Sequence, residues 1–127
     1  MISWFEKNYK ISLFIAVLIA IAMFYVSSLS FGSSGEKSGT NLIAILYHLF
    51  AYFFLALFLN FSLVKGRETK FIFIVILISI FYGITDEIHQ YFVPGRYASL
   101  SDIVINFIGI MLASLFYLVS IEYRKKN

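Results

Sequence analysis

Four long apolar stretches separated by short polar segments dominate the pattern of hydrophobic and polar positions. The apolar stretches cover residues 11–31, 42–64, 71–92 and 103–121. A helix of roughly 20 residues, at about 1.5 Å per residue, crosses the ~30 Å hydrocarbon core of a bilayer. The pattern therefore predicts an all-α polytopic membrane protein, a four-transmembrane-helix bundle that forms a single domain over residues 1–127.

Composition supports this class and excludes others. Hydrophobic residues make up 61% of the chain and charged residues 13%, whereas soluble domains average about 45–50% and about 25%. The chain contains no cysteine, which excludes disulfides and thiolate chemistry. The net charge of +3 does not indicate nucleic-acid binding, because most Lys and Arg residues flank apolar stretches and no basic helix with interleaved aromatic residues is present.

The basic residues predict the orientation in the membrane. Four spans place both termini on one side, together with the charged turn at residues 65–70. Eight Lys and Arg residues then share that side, and only Lys37 and Arg96 lie opposite. The positive-inside rule predicts cytoplasmic termini in a multi-pass protein of the plasma membrane, with residues 1–10 as an interfacial anchor. A cleaved signal peptide is the alternative for the first span, which exceeds the usual 7–15 apolar residues.

The few polar residues within the spans gather towards the predicted outer end. The third span carries Asp86, Glu87, His89 and Gln90 near its end. The turn Val93-Pro94-Gly95 ends this helix, because the residue before a proline is disfavoured in the helical conformation. The other spans and the adjoining loop contribute Ser27, Ser28, Ser30, His48, Tyr52, Arg96, Ser99, Asp102 and Asn106. Because ionisable groups in lipid-embedded helices are costly, we expect these side chains to share one outward-facing pocket with a function.

This pocket suggests acid–base chemistry. Two adjacent acids in a low-dielectric setting repel each other, which favours proton uptake by one of them. We interpret Glu87 as an acid or base with His89 as its partner, and Asp86 and Asp102 as further catalytic candidates. Arg96 would bind a phosphate-like or carboxylate group. The remaining candidates for substrate binding are Gln90, Asn106, His48, Ser99 and Tyr52.

Structural roles are the alternatives for the same residues. Ser99-x-x-Asp102 is also a capping-box pattern, and His48 or Asn106 could simply cross-link two helices. Asp86, Glu87 and His89 could form an ion-pair network with Arg96. No cofactor is predicted, although His89, His48 and the carboxylates are ligand types that suit a divalent metal. Gly109-x-x-x-Ala113 allows close helix packing, and a homo-oligomer remains open.

The motif at residues 86–96, Asp-Glu-Ile-His-Gln-Tyr-Phe-Val-Pro-Gly-Arg, resembles the Asp-Glu-x-His-Gln branch of the VanZ-like family. Ser99, Asp102, Asn106 and Gly109 extend the resemblance, which covers roughly residues 82–113, and His48-x-x-x-Tyr52 is similar to the family's His…Tyr pattern. Many relatives carry Asp-Lys where Ala44 and Ile45 stand here. The resemblance implies a polytopic membrane protein, linked in the founding member to resistance to the lipoglycopeptide teicoplanin.

Three hypotheses for function follow. The first is an outward-facing membrane enzyme or modifying factor that acts on a lipid-linked cell-envelope molecule. The second is a non-catalytic binder of a lipid or lipopeptide in the outer leaflet, for which Arg96 would matter more than Glu87. The third is a small transporter, which the position of the acids at one rim disfavours because small exporters place a lone acid in mid-membrane.

Overall fold

The computed structural model describes residues 1–29, 42–96 and 98–126, and every regular element in these ranges is a helix. A short helix, α1 (Ile2–Lys7), precedes four long ones: α2 (Tyr9–Ser28), α3 (Leu42–Leu63), α4 (Phe71–Tyr91) and α5 (Leu100–Lys126). Each long helix is long and apolar enough to cross a membrane. The predicted all-α class with four membrane-spanning helices is confirmed. The final residues of the first predicted span, including Ser30, and the Gly/Ser-rich segment with Lys37 lie outside the described residues.

Two elements differ from the hydropathy pattern. The predicted anchor at residues 1–10 contains the separate helix α1, and its Glu6 is buried against the bundle. Helix α5 begins at Leu100, before the apolar stretch, because the backbone N–H groups of Asp102 and Ile103 already bond to the carbonyl oxygen of Ser99. Hydropathy marks the part of a helix that lipid can surround, whereas backbone hydrogen bonds set its ends.

Helix α3 is central to the bundle, since it packs against α2, α4 and α5. Its closest neighbour is α5, and Gly109 is the reason. A Cβ atom at position 109 would overlap with the carbonyl oxygen of Leu49 and lie 3.2 Å from the backbone nitrogen of Phe53. Ala113, one turn later, is fully buried. The predicted small-x-x-x-small pattern thus lets two helix backbones approach closely.

The outer surface of the bundle is apolar, as expected for contact with lipid. Large side chains such as Phe14, Phe73 and Phe81 are exposed by 62%, 65% and 71%. Buried positions include many polar residues, such as Ser79, Asn60 and Asn106. In a soluble protein, exposed phenylalanines and buried polar side chains at this frequency would be unusual. The inverted pattern supports a membrane environment.

The two ends of the bundle carry different polar groups. At the terminal end, defined by Glu6, Gly66 and Arg124, the first and last helices meet through an Arg124–Glu6 ion pair of 2.7 Å. At the site end, α2 and α4 finish and α3 and α5 begin. The structure therefore brings both termini to one end of the bundle, as four spans require. Which end faces the cytoplasm remains a prediction from the charge distribution.

Candidate functional site

Asp86 is the centre of a closed hydrogen-bond network at the site end. Ser27 of α2 donates to its Oδ1 at 2.5 Å, while Tyr52 of α3 and Gln90 donate to Oδ2 at 3.3 and 3.2 Å. Gln90 also donates to Ser27 Oγ at 3.2 Å. All four side chains are buried. Three donors around one carboxylate tie α2, α3 and α4 together.

Glu87 lies about 100° around α4 from Asp86 and faces the start of α5. It is 2% exposed, and its Oε2 accepts a hydrogen bond of 3.1 Å from the backbone N–H of Ser99. Its Oε1 is buried and has no hydrogen-bond partner among the described residues. A buried carboxylate oxygen without a partner is costly and therefore needs an explanation. Glu87 is thus a buried carboxylate at the site end that has one oxygen without a hydrogen bond.

The bond from Ser99 also changes the interpretation of Asp102. In a capping box, the side chain at the third helical position would accept from the N–H of the cap residue. Here the N–H of Ser99 donates to Glu87 instead, and Ser99 Oγ pairs with Ser101 Oγ at 2.5 Å. The capping-box alternative for Asp102 is therefore replaced by a bond between α4 and the start of α5.

His48 is the histidine on the same side as Glu87. Its Nδ1 lies 2.9 Å from Oδ1 of Asn106, and both residues are buried. Because an amide oxygen can only accept, Nδ1 of His48 carries the proton and donates it. The bond cross-links α3 and α5 and fixes the orientation of the imidazole ring. In the neutral ring, the lone pair is then on the other nitrogen, Nε2.

His48, Glu87 and Asp102 converge from three different helices. One potential ligand atom from each lies within 4.8 Å of the other two. If both carboxylates are ionised, their repulsion at this separation is about 3 kcal/mol at an effective dielectric constant of about 20. A bound proton or cation would remove this repulsion and stabilise the cluster.

His89 lies on a different face of α4. It is two positions from Glu87, which corresponds to about 200° around a helix. Its Nε2 is 3.0 Å from Ser28 Oγ, and its ring stacks on Phe24 with 4.4 Å between centroids. The expected Glu87–His89 pairing thus has the wrong geometry. The histidine that α3 supplies, His48, lies beside Glu87 instead.

Arg96 follows the turn that ends α4. Its backbone N–H donates to the carbonyl oxygen of Val93 at 3.1 Å, and Gly95 adopts a φ of +80° that favours glycine. The side chain is half-buried, and its charge acts on the hydroxyl of Tyr47. Arg96 therefore lies at the site end, close enough to Tyr47 of α3 for its charge to act on that residue.

The chain is similar to a known protein family over most of its length. The sequence model of the VanZ/LLP1 family matches residues 5–121. The chain belongs to the VanZ/LLP1 family. No curated protein and no solved structure gives a significant match. The matched region runs from α1 to near the end of α5, so this VanZ/LLP1 protein matches its family across all four candidate spans and not only at the motif of α4.

The predicted site residues of this VanZ/LLP1 protein fall into three groups. Asp86, Gln90 and Tyr52 form the closed network with Ser27. The second group faces α5 and consists of Glu87, His48, Asp102, Asn106 and Ser99. The third group consists of His89, which contacts Ser28 and Phe24 of α2, and Arg96, whose charge acts on Tyr47 of α3. All ten predicted site residues are thus at one end, but α4 separates them onto different faces.

A second polar network in this VanZ/LLP1 protein was not predicted. At the terminal end, Arg124 binds both carboxylate oxygens of Glu6 at 2.7 Å, and Tyr117 donates to Oε1 at 2.7 Å. The N–H of Gly66 donates to the Tyr117 hydroxyl, and the φ of +68° at Gly66 suits glycine. Glu6 and Arg124 are 118 positions apart, so the only sequence signal was an acidic residue inside a basic anchor.

Proposed function

We propose that this VanZ/LLP1 protein acts at the outer face of the plasma membrane on a lipid-linked cell-envelope molecule. The observation that carries the proposal is the buried Glu87, whose Oε1 has no partner among the described residues and which lies beside His48 and Asp102. Unsatisfied ionisable groups inside a membrane protein usually serve a function. The positive-inside bias supports an outward orientation of this end.

The surroundings of the cluster support an amphiphilic substrate. An apolar cavity of about 220 Å³ lies between α4 and α5, lined by Ile80, Gly83, Ile103, Val104, Asn106, Phe107 and Ile110. It follows α5 from Ile103 to Ile110, about two turns or roughly 10 Å, and Asn106 forms part of its wall. A hydrocarbon chain in this cavity would bring its polar head to the Glu87 cluster, as expected for a lipid-linked molecule in the outer leaflet.

The proposed roles follow from the contacts. Glu87 accepts or donates the proton, because its Oε1 is the uncommitted oxygen. His48 is its partner, and Asn106 orients His48 through the 2.9 Å bond. Arg96 binds the phosphate-like or carboxylate part of the substrate, since a guanidinium suits planar, bidentate recognition of oxyanions. Asp86 and Gln90 hold α4 in position through the network with Ser27.

The test compares three versions of the full chain expressed in bacterial cells: the natural sequence, Glu87→Gln and the control Glu122→Gln. Glu122 is an exposed residue at the terminal end that pairs with Lys125. Envelope lipids are extracted and compared by mass spectrometry, and susceptibility to teicoplanin is measured in parallel. Protein levels in the membrane are matched by immunoblotting.

The natural sequence and Glu122→Gln should produce the same altered lipid species, and Glu87→Gln should produce none. A phenotype that survives Glu87→Gln at equal protein level contradicts the catalytic role. A different result would instead identify a non-catalytic binder: the protein protects against teicoplanin without producing any new lipid species. In that case Arg96→Gln should lose the protection and Glu87→Gln should retain it.

A further inference from the structure

The three converging side chains at the site end have the geometry of a metal site. His48, Glu87 and Asp102 come from α3, α4 and α5, and one ligand atom of each lies within 4.8 Å of the others. Three points with this spacing fit inside a circle of radius about 2.8 Å, whereas metal–ligand bonds to nitrogen and oxygen are about 2.0–2.2 Å. Side-chain movements of about 0.6–0.8 Å would therefore bring all three atoms to one ion.

His48 is oriented as a metal ligand would be. Its Nδ1–H donates to Oδ1 of Asn106 at 2.9 Å, which leaves the lone pair on Nε2. Metal-binding histidines almost always donate their second ring N–H to an oxygen in this manner, because the bond fixes the tautomer and raises the basicity of the ligating nitrogen. Asn106 is 2% exposed and therefore holds this orientation away from solvent.

The unsatisfied oxygen of Glu87 independently points to a ligand. The residue is 2% exposed, its Oε2 accepts from the N–H of Ser99, and its Oε1 has no partner among the described residues. In a capping box the carboxylate of Asp102 would accept from the N–H of Ser99. Because that N–H donates to Glu87 instead, the Asp102 carboxylate is available to bind a metal ion. A bound cation would satisfy Oε1 of Glu87 and balance the two carboxylate charges.

We propose that His48, Glu87 and Asp102 bind one divalent transition-metal ion, with Asn106 as the positioning residue for His48. One imidazole and two carboxylates, without thiolate, suit ions such as Zn²⁺ and Mn²⁺. Three protein ligands leave coordination positions open for water or for an anionic oxygen of a substrate. The inference rests on the proposed function for the relevance of this site, but metal binding is measured without any lipid substrate.

The experiment uses the full-length protein in detergent micelles after treatment with a chelator and gel filtration. Binding of Zn²⁺ and of Mn²⁺ is measured by titration calorimetry, and the bound metal per chain by elemental mass spectrometry. Four variants are compared with the natural sequence: His48→Gln, Glu87→Gln, Asp102→Asn and the control His89→Gln. His89 is a half-buried histidine at the same end, bonded to Ser28 and outside the cluster.

One ion per chain should bind to the natural sequence and to His89→Gln with equal affinity. Asp102→Asn should weaken binding by about tenfold or more, and Glu87→Gln and His48→Gln at least as much. Because Asp102 is only half-buried at the start of α5, Asp102→Asn should keep the fold even if His48→Gln does not. Mn²⁺-bound protein should also show coupling to a histidine nitrogen in pulsed electron paramagnetic resonance, which His48→Gln should abolish.

The proposal is overturned if neither ion binds at about one per chain, or if Asp102→Asn binds as tightly as the natural sequence. Equal losses in His89→Gln and His48→Gln would also overturn it. Metal binding without any change in envelope lipids refutes the proposed function alone. A lipid change produced by the natural sequence, together with no metal binding in calorimetry, refutes the metal site alone.

Discussion

Replacing Gly109 with alanine tests how closely α3 and α5 must approach at the site end. The new methyl group would overlap with the carbonyl oxygen of Leu49 and lie 3.2 Å from the backbone nitrogen of Phe53. Both obstacles are backbone atoms of a helix, so neither can rotate away. The two helices would have to separate by roughly 0.5–1 Å, and overpacking of this kind costs about 1–3 kcal/mol.

A matched substitution isolates this steric effect. Glycine to alanine inside a helix gains up to about 1 kcal/mol from helix propensity. Gly83→Ala has the same gain, but its Cβ would meet only the Tyr52 side chain, at 3.3 Å. We therefore expect Gly83→Ala to be near neutral and Gly109→Ala to be destabilised by about 1–2 kcal/mol net. For a chain of this size the melting temperature should fall by about 4–8 °C.

The assay is thermal unfolding of the detergent-solubilised proteins, followed by circular dichroism. The same variants should differ in function, because Gly109 lies one turn after Asn106 and Leu49 follows His48. Separation of α3 from α5 would lengthen the 2.9 Å bond between His48 and Asn106. A Gly109→Ala protein as stable as the natural sequence, or more stable than Gly83→Ala, would refute the close contact between α3 and α5.

Two further predictions concern the polar networks. Burial raises the pKa of Glu6, but hydrogen bonds from Arg124 and Tyr117 outweigh burial and hold that pKa below its ordinary value of 4.5. The stabilisation is therefore complete above the unfolded-state pKa and is lost as the pH falls through the folded-state pKa. The melting temperature of the natural sequence should drop between about pH 5 and about pH 3, and that of Glu6→Gln should drop less. Equal drops in the two proteins would contradict this prediction. Ser27→Ala should cost about 1–3 kcal/mol because it leaves a buried oxygen of Asp86 without its donor. The exposed control Ser28→Ala should reduce the free energy of unfolding by less. Equal reductions in the two variants would contradict the role of the network.

The four spans and the clustering at one end could be predicted from the sequence because both depend on one-dimensional quantities. Bilayer thickness sets the length of an apolar stretch, and alternation of the spans sets the end at which each residue lies. His48, Glu87 and Asp102 are therefore near the same end of the bundle whatever the packing. The Gly109-x-x-x-Ala113 contact was predictable for a similar reason, since only small residues allow helix backbones to approach so closely.

The partner of each side chain depended on the tertiary structure. Which histidine lies beside Glu87 is decided by the rotation of α4 about its axis, and contacts of Gly83 with Tyr52 and of Asp86 with Ser27 set that rotation. His89 is closer to Glu87 in sequence, yet the helical repeat turns it towards α2. Glu6 and Arg124 meet only because the folded bundle brings both termini together. Hydropathy determines the depth of a residue in the membrane, whereas packing between helices determines which residues it faces.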